Sequence, residues 1–106
     1  MQIDVLGTSY SIRQSNKVEN LNLEDADGYC DHSVKSIVID TFKDSPGSLE
    51  DLDEYKKQVI RHEVIHAFLF ESGLDTNSWA RNEEIVDWFA IQFPKLLKAF
   101  ESSDCI

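Results

Sequence analysis

The alternation of polar and apolar residues over the first forty positions predicts β structure. Residues 2–6 and residues 9–13 each alternate between the two classes, as a half-buried strand does. Residues 36–40 are rich in β-branched side chains and form the clearest strand of the sequence. Asp27 and Gly28 predict a turn just before the run of residues 29–40, which contains this strand. We therefore expect a small, mainly antiparallel sheet with one exposed edge.

The pattern then changes to a helical period over residues 49–72, after a loop at residues 44–47. Apolar residues surround most of this segment, which is typical of a buried helix. Ser48 is the predicted N-cap, and Gly73 is the predicted C-terminal cap. One stripe of the helix, repeating every three or four positions, consists of Tyr55, Val59, His62, His66 and Leu69.

A second helical pattern resumes around Arg81, after a connection at residues 74–80. Pro94 lies inside this pattern and predicts a kink or a split, because proline lacks a backbone donor and clashes with the preceding turn. We expect the chain to fray from Glu101. The apolar face of the second helix consists of Ile85, Phe89, Phe93, Leu96 and Phe100.

Composition and charge narrow the class of protein. The 106 residues suffice for one domain, so residues 1–106 are predicted to form a single α+β domain. Acidic residues outnumber basic ones by 20 to 10, which argues against a nucleic-acid partner. There is no apolar run of membrane-spanning length, and the first residues lack the features of a signal peptide. Together with two cysteines expected to be free thiols, this predicts a cytoplasmic protein without a membrane partner. The sequence leaves the oligomeric state open.

The segment His62-Glu63-Val64-Ile65-His66 is the most informative part of the sequence. Two histidines four residues apart on a helix lie on one face, so both rings can bind one zinc ion. Zinc lowers the pKa of a coordinated water to about 7, and Glu63 is placed to take the proton of that water. This is the H-E-x-x-H pattern of zinc peptidases.

A catalytic zinc site needs a third protein ligand. No histidine follows His66, so the third ligand should be a carboxylate. Glu83 and Asp87 lie four residues apart on the second helix and face the same way. One of them can bind zinc while the other accepts the ring N–H of a histidine ligand. The carboxylates considered for the third position are Glu71, Asp75, Glu83, Glu84 and Asp87.

The segment Asn82-Glu83-Glu84-Ile85-Val86-Asp87 resembles the N-E-x-x-x-D segment of thermolysin-like peptidases, the gluzincins. That resemblance implies that Glu83 is the third zinc ligand and that Asp87 orients His62. Together with the H-E-x-x-H segment and Phe89-Ala90, it most resembles the short ImmA/IrrE-type zinc peptidases of phages and mobile elements. The family implies a zincin-like fold, in which the sheet packs on the H-E-x-x-H helix and a second, C-terminal helix. It also implies a peptide or protein substrate, such as a repressor.

The leading hypothesis is therefore a zinc metallopeptidase in which Glu63 is the general base and then protonates the leaving amine. An extended substrate can add to the sheet edge near residues 37–39. One alternative is a metal-binding scaffold that binds a protein partner without cutting it. Another is a structural domain in which the two histidines are bonded to backbone carbonyls and the motif is accidental. Four residues are candidates for stabilising the oxyanion: Tyr29, His32, Tyr55 and Arg81.

Overall fold

The computed structural model describes residues 1–42, 51–76 and 79–106, together with the backbone of Ser78. Four strands precede two long helices along the chain, so the predicted α+β class is confirmed. The strands are β1 (Gln2–Val5), β2 (Thr8–Ser15), β3 (Gly28–Asp31) and β4 (Ser36–Asp40). The helices are α1 (Leu52–Glu71) and α2 (Glu83–Ser102), and short 3₁₀ helices lie at Leu21–Leu23 and Ser78–Arg81.

The four strands form one sheet in the order β1-β2-β4-β3. The β1–β2 and β3–β4 pairs are antiparallel, as expected, but the central β2–β4 pair is parallel, with Ile12 opposite Ile37. The sheet is therefore mixed. The predicted substrate edge at residues 37–39 is wrong, because β4 is an interior strand. The two edges of this sheet are β1 and β3.

The main core lies between the sheet and α1. Its buried members are Val5, Tyr10, Ile12, Ile37, Ile39, Phe42, Val59 and Ala67. Gly28 at the start of β3 allows the edge strand to approach α1 closely. A Cβ atom at Gly28 would lie 2.9 Å from Cγ1 of Val59, closer than real Cβ atoms come, and 3.0 Å from Cδ1 of Ile39. Glycine therefore fixes β3 against the helix that carries the two histidines.

Both ends of α1 are capped by the chain itself. Asp51 is the N-cap, and its side chain accepts a hydrogen bond from the backbone N–H of Glu54 at 3.0 Å. The helix thus begins at Leu52, three residues later than predicted, while Ser48 and the loop at residues 44–47 lie outside the described residues. At the other end Gly73 has a φ of 80°, and the N–H of Leu74 reaches back to the carbonyl of Leu69. This confirms the predicted glycine cap.

The junction of α1 and α2 depends on the proline within α2. The helix continues through Pro94, so the predicted split is wrong. Because proline has no N–H, the carbonyl of Ala90, four residues earlier, has no donor from the helix ladder. Nε of Arg61 on α1 donates a hydrogen bond to that carbonyl at 2.6 Å. Pro94 therefore leaves the carbonyl of Ala90 free to bind Arg61. This hydrogen bond joins α2 to α1 at the residue that precedes His62.

The apolar face that the sequence pattern predicted for α2 is largely exposed to solvent. Val86 and Ala90 are the buried residues of the helix, whereas Phe93 on the predicted apolar face is 47% exposed. The cause is that α1 covers only the side of α2 that carries Val86 and Ala90. The helix extends to Ser102, past the point where fraying was expected.

Two expectations from composition are met within the described ranges. Neither helix is long and apolar enough to cross a membrane. Cys30 is half-buried and Cys105 is exposed, and both are free thiols.

Candidate metal centre

An open cleft of about 470 Å³ lies between β3, α1 and α2. The edge strand β3 and the residues just before it form one wall. The H-E-x-x-H helix forms the second wall, and the first turn of α2 closes one side. The residues that line the cleft include Asp27, Gly28, Tyr29, Cys30, His32, Tyr55, His62, Glu63, His66, Glu83 and Asp87. All five site residues predicted from the sequence therefore line the same cavity.

Three of them converge on one point. Nε2 of His62 lies 3.2 Å from Nε2 of His66, and Oε2 of Glu83 lies 2.9 Å from the first nitrogen and 3.3 Å from the second. These three side chains form the one group in the described part of the chain whose ligand atoms are close enough to hold a metal ion. The two ring nitrogens and the carboxylate face a shared point, so all three can hold one cation there.

The donor set fits zinc in both chemistry and spacing. Two imidazole nitrogens and one carboxylate oxygen are ligands that catalytic zinc sites use. Zinc–ligand bonds of about 2.0–2.1 Å in a tetrahedron require donor atoms roughly 3.3 Å apart. The separations of 2.9–3.3 Å between His62, His66 and Glu83 are close to that requirement.

Asp87 lies on the other side of the His62 ring. Its Oδ1 atom is 3.3 Å from Nδ1 of His62, on the ring edge opposite the cluster. A carboxylate at that distance accepts the Nδ1–H bond, so the lone pair of neutral His62 is on Nε2. The arrangement therefore prepares His62 to bind a metal through the nitrogen that faces His66 and Glu83.

Burial governs the charge state of the neighbouring groups. Burial lowers the pKa of His66, although the Glu83 carboxylate acts in the opposite direction, and a lower pKa favours the neutral imidazole that can bind a metal. Burial also raises the pKa of Glu63 to about 7, with the nearby Glu83 adding to the rise and His62 opposing it. Glu63 is 7% exposed and lines the cleft, and no hydrogen bond links its carboxylate to any residue in the described ranges. It is thus a buried acid without a structural partner.

The start of α2 places Glu83 in the cluster. Asn82 is the N-cap, and its Oδ1 atom accepts hydrogen bonds from the backbone N–H groups of Glu84 and Ile85. Glu83 is therefore the first residue of the helix. Because α2 is tied to α1 through Arg61, that first turn is held beside His62 and His66. This function of Arg61 was not predicted from the sequence. The feature that could have indicated it is Pro94, which leaves the carbonyl of Ala90 without a donor from its own helix.

The other residues considered from the sequence divide into two groups. Glu71 accepts hydrogen bonds from the Tyr10 hydroxyl and the Lys35 ammonium group, so its carboxylate has structural partners away from the cluster. Asp75 and Glu84 are not part of the cluster either. Of the four candidates for stabilising an oxyanion, Tyr29, His32 and Tyr55 line the main cleft. His32 and Arg81 line a smaller neighbouring cavity of about 240 Å³, which also borders His66 and Glu83.

Replacing Asp87 by alanine should weaken zinc binding by about 10- to 100-fold, because His62 loses the group that fixes its ring and its protonated nitrogen. A competition titration against a chromophoric chelator measures this affinity. Glu101→Ala removes an exposed carboxylate from the same helix and should leave the affinity unchanged. An Asp87→Ala protein that binds zinc as tightly as wild type would show that Asp87 does not support the site.

Comparisons with known proteins add no information on this site. No protein-family model matches the chain, and neither a curated protein nor a solved structure is detectably similar to it. The resemblance to ImmA/IrrE-type peptidases therefore remains a prediction from the sequence motifs.

Proposed function

We propose that this protein is a zinc-dependent metallopeptidase. The observation that carries the proposal is the convergence of His62, His66 and Glu83 within 3.3 Å of one another. The buried carboxylate of Glu63 lines the same cleft, on the residue that follows the first histidine. A metal-binding triad beside an unpartnered acid is the arrangement that metal-assisted hydrolysis requires.

Each residue has a separate part in this proposal. His62, His66 and Glu83 would hold zinc, which supplies Lewis acidity and lowers the pKa of water toward 7. Asp87 keeps the proton of His62 on Nδ1. The Glu63 carboxylate accepts a proton from the attacking water and passes it to the nitrogen of the leaving amine. Burial raises the pKa of Glu63, which makes its carboxylate a stronger base than that of an exposed glutamate.

The edge strand beside the cleft favours a peptide as the substrate. The backbone N–H of Asp40 donates a hydrogen bond to the carbonyl of Asp27, just before β3. In the antiparallel β3–β4 ladder, hydrogen-bonded pairs alternate with pairs that are not hydrogen-bonded, starting from this pair. By this alternation, the backbone groups of Gly28 and Cys30 face away from β4, toward the open edge. An extended peptide can pair with them as an additional strand, which brings one of its carbonyl groups along the cleft.

The proposal is tested by digesting a diverse pool of unmodified peptides and identifying the products by mass spectrometry. Zinc-loaded protein should cleave some of the peptides, protein stripped with a chelator should cleave none, and added zinc should restore the same products. Zinc-loaded protein that cleaves nothing in the pool would contradict the peptidase and favour the non-catalytic metal-binding scaffold.

A further inference from the structure

The structure distinguishes between the four residues that the sequence offered as oxyanion donors. The hydroxyl of Tyr55 donates to the carboxylate of Asp27, and Nε of Arg81 donates to the carbonyl of Asp75. The hydroxyl of Tyr29 accepts from the side-chain amide of Asn20. His32 differs in its position, since of the four it alone lines both the main cleft and the smaller cavity beside His66 and Glu83.

Aromatic stacking holds the His32 ring next to the cluster. The ring is parallel to that of Phe70, with centroids 4.2 Å apart and an interplanar angle of 3°. Phe70 follows His66 by four residues and so lies on the same face of α1, one turn away. The Lys35 ammonium group, 4.6 Å from the centre of the Phe70 ring and 2.9 Å from Glu71, further restrains this side chain. The His32 ring therefore lies beside His66 in a fixed orientation.

The contact of His32 with Cys30 gives Nδ1 of the His32 ring a thiol donor, an arrangement that favours the proton on Nε2. Sγ of Cys30 lies 3.5 Å from Nδ1 of His32. Burial, together with the nearby Glu63 carboxylate, raises the pKa of the Cys30 thiol to about 12, so the sulfur is protonated at neutral pH. In the tautomer in which this S–H group donates to Nδ1, neutral His32 carries its proton on Nε2. Nε2 is on the far edge of the ring from Cys30, so its N–H bond is free to donate elsewhere.

From this geometry we propose that His32 is a further catalytic residue, whose Nε2–H donates a hydrogen bond to the carbonyl oxygen of the bound substrate. The inference rests on the proposed function and assigns the oxyanion donor of that same site. The hydrogen bond strengthens as negative charge develops on the oxygen, and the proton stays on His32 throughout. Cys30 and Phe70 are positioning residues, because they act through the protonation and orientation of the His32 ring.

The binding of acetohydroxamate to the cobalt(II)-loaded protein tests this role without a peptide substrate. Acetohydroxamate binds metals through its oxygens and presents a carbonyl oxygen to the cleft, and the visible absorption of cobalt reports both metal binding and hydroxamate binding. His32→Phe keeps an aromatic ring to stack on Phe70 but lacks the N–H donor. It should retain its cobalt and bind acetohydroxamate about tenfold or more weakly, the size expected for a hydrogen bond to a charged group. His32→Gln keeps an amide donor and should stay within about threefold of wild type.

The controls separate failure of this inference from failure of the proposed function. Ser33→Ala removes an exposed hydroxyl next to His32 but outside both cavities, and its affinity for acetohydroxamate should equal that of wild type. Equal affinity in a cobalt-loaded His32→Phe protein would overturn the role of His32 and leave the metal site intact. Wild-type protein without a cobalt spectrum would instead overturn the metallopeptidase, and this inference with it.

A second variant keeps the inference testable if His32→Phe fails to fold. Cys30→Ala removes the thiol that fixes the proton on Nε2, so some His32 rings would carry their proton on Nδ1. We expect acetohydroxamate binding to weaken by about two- to fivefold, with cobalt binding unchanged. Unchanged affinity in this variant would contradict the assigned donor atom.

Discussion

Glu63→Gln should lower the rate of hydrolysis of a cleaved peptide by about 10²- to 10⁴-fold while the protein keeps its full zinc content. Glutamine has the same shape as glutamate but cannot accept the proton of the attacking water. Glu63 lines the cleft next to His62, is 7% exposed, and has no hydrogen-bond partner in the described part of the chain. Its replacement by a neutral amide removes a buried ionisable group, so the fold should not lose stability. The turnover rate and the zinc content are measured on the same preparation.

The matched control for this variant is Asp53→Asn. Asp53 is an exposed residue near the start of the same helix, outside the cleft, and its replacement should change neither turnover nor zinc content. Glu63→Gln protein that retains zinc and hydrolyses the peptide at the wild-type rate would show that another group is the general base. Loss of zinc together with activity would show instead that Glu63 supports the metal site.

Glu83→Ala should weaken zinc binding by about 100-fold or more, because it removes one of the three proposed ligands, a larger loss than that of a supporting partner. The carboxylate of Glu83 is the part of the cluster that comes from α2, and it lies within 3.3 Å of both histidine nitrogens. Since its side chain is 66% exposed, truncation removes little packing, and stability without metal should be nearly unchanged. The affinity is measured by competition with a chromophoric chelator.

Glu84→Ala is the control for this change at the adjacent position. Glu84 is exposed at the same helix start, with the same charge, and lies outside the metal-binding group. Its removal should leave zinc affinity within about twofold of wild type. Equal losses of zinc affinity in the two variants would mean that the affinity depends on the overall negative charge at the start of α2 and not on Glu83 as a ligand. An unchanged affinity in Glu83→Ala would move the third ligand to another residue.

Local spacing made the histidine pair predictable from the sequence. Residues four apart on a helix face the same way, so the convergence of His62 and His66 needs only that residues 52–71 be helical. The position of Glu63 in the cleft follows from the same helix. The assignments of Glu83 and Asp87 needed more, because they depend on how α2 packs against α1. For these two residues, spacing left the roles open, and the motif resemblance assigned Glu83 to the metal and Asp87 to His62. In the structure Glu83 lies beside both histidines, and Asp87 lies beside Nδ1 of His62.

Features that depend on contacts distant in sequence were not predictable. The parallel pairing of β2 with β4 joins segments separated by the whole of residues 16–35, and it moves the open edge from β4 to β3. Pro94 was expected to kink or split its helix, because the residue that bonds to the carbonyl it leaves without a donor could not be known from the sequence. Arg61, from the other helix, provides the hydrogen bond that the proline cannot. Which side of α2 is buried also depends on the junction with α1. Val86 and Ala90 are buried there, whereas the more apolar stripe that includes Phe93 is exposed.

The most direct test of the account is the zinc content of wild-type protein purified without a metal-affinity tag, measured by elemental analysis before and after zinc is offered to the metal-free form. We predict about one zinc per chain, held by His62, His66 and Glu83, and a sharply reduced content in a His62→Ala protein measured in parallel. Wild-type protein that takes up no zinc under these conditions would contradict the metal centre and the peptidase that depends on it.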